Sequence, residues 1–161
     1  MITIRNFQKN DLESVKEIFA LYWTDPEFIE ELLDKLSAYT NQTKECTDEK
    51  CRFFIAEKED EIVGIAGIRN TPDYIQPHTK TNNPTELYII AVRYKDKGIG
   101  KELGLKILEE TKNIGFTEIV LYSPNSHKES WGFYNKLGFE DIGEIIAPDD
   151  GELGHVWRKV L

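Results

Sequence analysis

Sulfur and imidazole are scarce in this chain, whose 161 residues include two cysteines, one methionine and three histidines. Cys46 and Cys51 have no second cysteine pair, and His78, His127 and His155 are scattered, so the ligand spacing of a zinc site is missing and no metal is expected. The two thiols are expected to stay reduced. Positive charge is also short. Twenty Lys and Arg against 29 Asp and Glu leave a net charge of -9, which argues against nucleic-acid binding because phosphate contact needs a positive surface. Cationic or neutral small substrates suit this balance better. No apolar run nears the ~20 residues of a membrane span, and the polar opening MITIRNFQKNDLESV lacks a signal-peptide core. A cytoplasmic protein without a membrane partner is therefore expected. Repeats and linkers are missing too, which leaves one domain.

What is present is a globular composition, 40% apolar and 11% aromatic, enough for a real core. Ile2, Ile4 and Phe7 suggest a first strand. In NDLESVKEIFALYW the spacing of Leu12, Val15, Ile18 or Phe19, and Tyr22 is helical, with Asn10 or Asp11 able to cap its start. Pro26 suits the first turn of a second helix whose apolar face carries Phe28, Ile29, Leu32, Leu33 and Leu36. AYTNQTKECTDEK loses periodicity and reads as a loop. Arg52 to Ala56 and Ile62 to Ile68 form a hairpin around the acidic turn EKEDE, and Gly64 and Gly67 point to a bulge or a close neighbour. The polar stretch NTPDYIQPHTKTNNPTE, with three prolines, is a long loop of the kind that often lines a site.

ELYIIAV is apolar enough for a central strand covered on both faces. Ile99, Leu103, Ile107, Leu108 and Ile114 then repeat at helical spacing up to a stop at Gly115. TEIVLYS is a second buried strand. HKESWGFYNKLG is a short helix with Trp131, Tyr134 and Leu137 near one face and Gly138 as its cap. FEDIGEIIAP and GHVWRKVL close the chain as strands around the turn PDDG. A mixed α/β protein with a central sheet follows.

Between ELYIIAV and its helix stands KDKGIGK. Gly98 and Gly100 let the backbone approach a ligand without a Cβ in the way, and the helix behind them points unpaired N–H groups backwards, a combination that binds anions and phosphate above all. Lys95, Lys97 and Lys101 add charge. The dinucleotide fingerprint G-x-G-x-x-G fails because Gly104 falls one position late. A P-loop fails because Glu102 follows Gly100 and Lys101, and Lys95 occupies the place of the first glycine. A plain strand-to-helix turn with solvated lysines is the bland alternative. The stretch Lys95-Asp96-Lys97-Gly98-Ile99-Gly100 resembles the Arg/Gln-x-x-G-x-G/A pyrophosphate turn of the GNAT superfamily, the acyl-CoA-dependent N-acetyltransferases. Lys95 stands where Arg or Gln is usual, which keeps the charge and loses the guanidinium fork. Downstream, ESWGFYNKLGFED resembles the same superfamily's aromatic-Tyr-x-x-Leu-Gly-Phe motif, and the resemblance covers the chain from about Phe53 onward.

The resemblance implies a GNAT fold in the α/β class (α+β in some schemes). That is a central, mixed, mostly antiparallel sheet of about seven strands, splayed between two central strands and flanked by about four helices. Residues 1–161 would form a single N-acetyltransferase domain. It also implies acetyl-CoA as acyl-donor cosubstrate. The backbone of Ile90, Ala91 and Val92 would satisfy the pantetheine arm much as another strand would. Lys95, Asp96, Lys97, Gly98, Ile99, Gly100 and Lys101 would hold the pyrophosphate. The implied reaction is direct attack of a primary amine of a small molecule or peptide on the thioester, in a ternary complex. An amine of pKa ~10.4 is mostly protonated at neutral pH, so a base or a water chain helps.

Tyr134 matches the tyrosine that family members place near the sulfur, a general acid, with core packing as its alternative. Glu86, opening the central strand, is the nearest match to a glutamate base, against a solvated strand-end carboxylate; Tyr88 could hold the water instead. Asn125 resembles the asparagine before the last motif, and His127 sits closer to the expected position; either touches CoA or caps the helix. Lys128 meets phosphates or is solvated. For the acceptor, Asp25, Glu27, Glu30, Glu31 and Asp34 either steer a cationic amine or form an exposed helix face. A homodimer is a further implied state. The reading from another class is a non-catalytic acyl-CoA-binding regulatory domain, which would hold CoA without releasing thiol when offered amines. A nucleotide-binding enzyme of another fold is the third, and competition by ATP would reveal it.

Overall fold

The computed structural model describes residues 2–149 and 151–161. Strand β1 (Thr3–Asn6) leads through a 3-10 turn (Lys9–Asp11) into helices α1 (Leu12–Ala20), α2 (Pro26–Thr40) and α3 (Lys44–Asp48). Then come β2 (Arg52–Lys58), β3 (Glu61–Asn70), β4 (Pro84–Val92), α4 (Ile99–Ile114), β5 (Glu118–Pro124), α5 (Trp131–Lys136), β6 (Glu140–Ile146) and β7 (Leu153–Val160). The strands follow the order β1-β2-β3-β4-β5-β7-β6 in one seven-stranded sheet. Pairing is parallel between β4 and β5, where Pro84, Thr85 and Glu86 face Glu118, Ile119 and Val120. It is antiparallel for β1–β2, β2–β3, β5–β7 and β6–β7. This is the mixed, mostly antiparallel sheet expected from the sequence.

Five α-helices are present among the described residues, against the four or so expected. The extra one is α3, in the stretch read as a loop: the Thr43 side chain accepts from the Cys46 N–H and caps it, and five residues are too few for a hydrophobic period to show.

Two compact units divide the chain: residues up to Arg69 with Tyr88–Ile107, and Asn70–Leu87 with Leu108–Leu161. In the first, Val15, Ile18 and Phe19 of α1 and Leu32, Leu33 and Leu36 of α2 share a core with Phe53, Ile55, Ile65, Ile89 and Ala91. Each such side chain contributes roughly 1.5–3 kcal/mol when fully buried. Asp25 caps α2 by accepting from the Glu27 N–H. Asp11 does not cap α1. It is buried instead, taking two Arg5 hydrogen bonds of 2.8 Å and the Gln8 N–H at 2.7 Å. The β2–β3 turn places Glu59 and Asp60 at φ 51° and 64°, the left-handed pair that a two-residue hairpin turn requires. A bulge lies between Ala56 and Glu57. Gly67 has the close neighbour its sequence position suggested, since a Cβ there would lie 2.5 Å from the Phe53 ring.

In the second unit the proline-bearing segment is fastened down rather than loose. Ile75 is fully buried with Val120 and Val156. The buried Glu118 carboxylate accepts from the N–H groups of Lys80 and Thr81 and from the Thr81 hydroxyl. Strand β7 lies between β5 and β6, and Gly138, at φ 92°, follows α5 as its expected stop. Asp150 of the expected PDDG turn, and Met1, lie outside the described residues.

Candidate functional site

In the first unit, β4 ends where Arg93 turns its N–H to the Val63 carbonyl at 2.8 Å. A trans peptide directs the preceding carbonyl the opposite way, so the Val92 C=O faces away from β3. The Tyr22 hydroxyl donates to it at 2.6 Å, and the Lys95 ammonium lies 5.1 Å from the centre of the Tyr22 ring. The Arg93 guanidinium donates to the carbonyls of Ile62 at 3.1 Å and Ser14 at 3.3 Å and pairs with Glu17 at 3.1 Å. Strand end, α1 and turn are thereby tied within one unit.

The glycine turn follows. Asp96 and Gly98 take φ 61° and 78°, and Glu102 N–H to Gly98 C=O, at 3.1 Å, is the first helical bond of α4. The N–H groups of Gly98, Ile99, Gly100 and Lys101 precede that bond and have no helical partner. A Cβ at Gly98 would meet nothing within 4 Å. Lys95, Asp96, Lys97 and Lys101 are exposed, Ile90 and Val92 half-buried, and Ala91 sits in the core. Open space, amides without a helical partner and three lysines suit an anionic phosphate group.

The second unit holds the other candidates. Glu86 is the third residue of β4, opposite Val120 and 6% exposed, which corrects the solvated strand-end alternative: the strand begins two residues earlier, at Pro84. Tyr134 is half-buried, its ring centre 5.7, 6.1 and 6.0 Å from those of Phe133, Phe139 and Trp157. Burial, with the Glu129 charge, pushes its hydroxyl up to about 12. The Oδ1 atom of Asn125 is buried without a partner, and neither the 3-10 turn over Asn125–Ser130 nor α5 has a side-chain cap. The capping role proposed for Asn125 or His127 is therefore not taken. Lys128 is exposed, its ammonium 5.8 Å from the Trp131 ring.

Two arrangements were not foreseen from sequence. Tyr22 reads there only as one more apolar position of the first helix, which in fact ends at Ala20, and its partner is 70 residues away. In the second unit, His155 Nδ1 lies 2.9 and 2.8 Å from the two Asp141 oxygens, its ring is 4.4 Å from that of Trp131, and Trp131 donates to Ser123 Oγ at 3.0 Å. That pairing depends on a register shift between Asp141 and Gly143, which no local sequence signal supplies. Among the described residues, no group of three His, Cys, Asp or Glu side chains is placed to hold a metal ion.

Comparison with known proteins bears on this geometry. The profile of the acetyltransferase (GNAT) family matches residues 12–139. N-acetyltransferase 8B of Homo sapiens is 25% identical over 133 residues, covering 81% of this chain and 51% of that protein. The chain thus spans about half the length of the curated relatives it matches. Among solved structures, a protein of Desulfovibrio desulfuricans described as a GNAT-family acetyltransferase has a TM-score of 0.81 at 17% identity over 99% of both chains. YncA of Salmonella typhimurium, solved with its cofactor acetyl-CoA, has a TM-score of 0.71 at 16% identity, over 100% of this chain and 94% of that one. At such identities these two likenesses concern the fold.

Proposed function

The chain belongs to the acetyltransferase (GNAT) family, and from that premise we propose that it transfers an acetyl group from acetyl-CoA to a primary amine of a small molecule or peptide, by direct attack in a ternary complex. The observation that carries the reading is the turn from Lys95 to Lys101. Its amides from Gly98 to Lys101 precede the first helical bond of α4, its lysines are exposed, and the space beside Gly98 is open. Acetyl-CoA supplies the acyl group as an activated thioester.

The chain's own groups take the remaining roles. The N–H groups from Asp96 to Lys101 bind the pyrophosphate, with Lys95, Lys97 and Lys101 neutralising its charge. The backbone of Ile90 and Val92 orients an extended arm on the edge of β4 away from β3. Ala91 contributes through its place in the strand rather than through an exposed side chain. Asn125, with an unpaired amide oxygen, accepts an N–H, and Lys128 adds a cation. Tyr134 keeps its proton across the neutral range, because its hydroxyl is pushed up to about 12, and serves as the donor to the departing sulfur. Glu86 accepts the amine's proton, directly or through water held near Tyr88.

Residues 1–161 work as one domain in this reading, as a monomer or a homodimer, with a cationic amine as the preferred acceptor and no nucleic-acid or membrane partner. A cytoplasmic location suits the free, buried thiols of Cys46 and Cys51. No helix among the described residues is long and apolar enough to cross a membrane.

Calorimetric titration with acetyl-CoA, with ATP and NAD as controls, followed by a thiol-release screen over primary amines, tests the proposal. Selective binding with amine-dependent thiol release is the expected result. Binding without thiol release would instead mark a non-catalytic acyl-CoA-binding domain, and competition by ATP a nucleotide enzyme.

A further inference from the structure

Two contacts meet on Tyr22. Its hydroxyl satisfies the Val92 carbonyl at 2.6 Å, an acceptor that the β3–β4 ladder cannot reach because the next N–H is committed to Val63. Its ring carries the Lys95 ammonium at 5.1 Å. Val92 and Lys95 bracket the entrance to the glycine turn, so one side chain sets both the direction in which β4 ends and the place where the first lysine of the turn rests.

A lysine at this position needs such help. Its ammonium is a point charge on a flexible stem and cannot grip two acceptors at once as a guanidinium does. Lys95 is exposed, so without a seat its charge would be spread over many rotamers. The ring face supplies an electrostatic seat. The Arg93 ties to Ser14 and Glu17 fasten the same segment to α1, the helix that ends two residues before Tyr22, so the seat is held by a fixed base.

We propose that Tyr22 is a cosubstrate-positioning residue, which pins the end of β4 through its hydroxyl and seats Lys95 through its ring, making up for the guanidinium fork this turn lacks. The proposal rests on the acetyl-CoA reading. A purely structural tyrosine would lower stability when replaced, and Lys95→Arg would then raise affinity by the same factor in the wild-type and Tyr22→Leu backgrounds, whereas a lost seat predicts a larger gain in Tyr22→Leu. That larger gain is the distinguishing readout.

The experiment is calorimetric titration with acetyl-CoA of the wild-type chain, Tyr22→Phe, Tyr22→Leu, Lys95→Arg and the double variant Tyr22→Leu with Lys95→Arg, each checked by thermal melt. Tyr22→Phe keeps the seat and loses the pin, and is expected to weaken binding ~3-fold. Tyr22→Leu loses both and is expected to weaken it ~10-fold. Arginine should bring the double variant back to within ~3-fold of wild type. Equal affinity of wild type and Tyr22→Leu, or a gain from Lys95→Arg no larger in Tyr22→Leu than in wild type, overturns the role while leaving the acetyl-CoA reading intact. A folded wild type that does not bind acetyl-CoA overturns both. If Tyr22→Leu does not fold, Tyr22→Phe decides, and affinity equal to wild type there removes the pin.

Discussion

A phenol that titrates near 12 keeps its proton through the range in which an amine of pKa ~10.4 begins to offer its lone pair. If Tyr134 donates that proton to the departing sulfur, kcat should rise with pH and show no alkaline fall up to pH ~10, where an ordinary tyrosine would be half ionised. Steady-state rates from pH 6 to 10 check this. Tyr134→Phe should cut kcat ~100-fold while leaving acetyl-CoA affinity nearly unchanged, and an unaltered kcat would reduce Tyr134 to packing. Asp11 gives a second titration, of stability. Burial favours its neutral form, but the Arg5 guanidinium and the Gln8 N–H outweigh that and hold its carboxyl below the usual range. Its contribution is therefore present above the unfolded value of ~3.9 and is lost as pH falls through the lower folded value. Asp11→Asn should cost about 1–3 kcal/mol at neutral pH and flatten the acid limb of a urea-unfolding series.

Among the elements, the glycines separate packing from binding. A Cβ at Gly67 would lie 2.5 and 2.6 Å from two atoms of the buried Phe53 ring and 3.2 Å from Ile89, so Gly67→Ala should destabilise the chain by about 1–3 kcal/mol through overpacking. At Gly98 the surroundings are open but φ is 78°. Gly98→Ala should cost about 1 kcal/mol of backbone strain, whereas Gly98→Glu should abolish acetyl-CoA binding in a folded protein by placing an anion where the proposed cradle would hold the pyrophosphate. Retained affinity in a folded Gly98→Glu would remove the cradle. The turn was legible in the sequence because everything it needs is local: glycines, lysines, and a helix announced by Ile99, Leu103 and Ile107. Helix α3 was not, because its only buried side chain is Cys46 and its signal is a single Thr43 cap. Ile75 was hidden for another reason, since its partners Val120 and Val156 come from strands far along the chain. The hydrogen bond from Tyr22 to Val92 spans 70 residues and has no local mark at all.

For the whole molecule, the net charge of -9 sets up a field that would repel a polyanion such as the proposed acetyl-CoA and draw in a cationic amine. Lys95, Lys97 and Lys101 oppose it at the turn. The two effects differ in range: the screening length falls from ~30 Å at 0.01 M salt to ~8 Å at 0.15 M, which removes the distant field and leaves direct contacts. For a diamine, kcat/KM should therefore fall ~10-fold across that interval, while for a zwitterionic amino acid it should hardly change. Which charges are responsible is settled by neutralising Asp25, Glu30, Glu31 and Asp34 together, which takes the net charge from -9 to -5. A second variant that neutralises Glu109, Glu110, Glu140 and Glu144 makes the same change on α4 and β6. Loss of the salt dependence in the α2 variant alone makes that helix a wall of the acceptor site. Equal loss in both means that the total charge steers the amine wherever it enters, and a diamine rate indifferent to salt in the wild type returns the acidic residues of α2 to an exposed, solvated helix face.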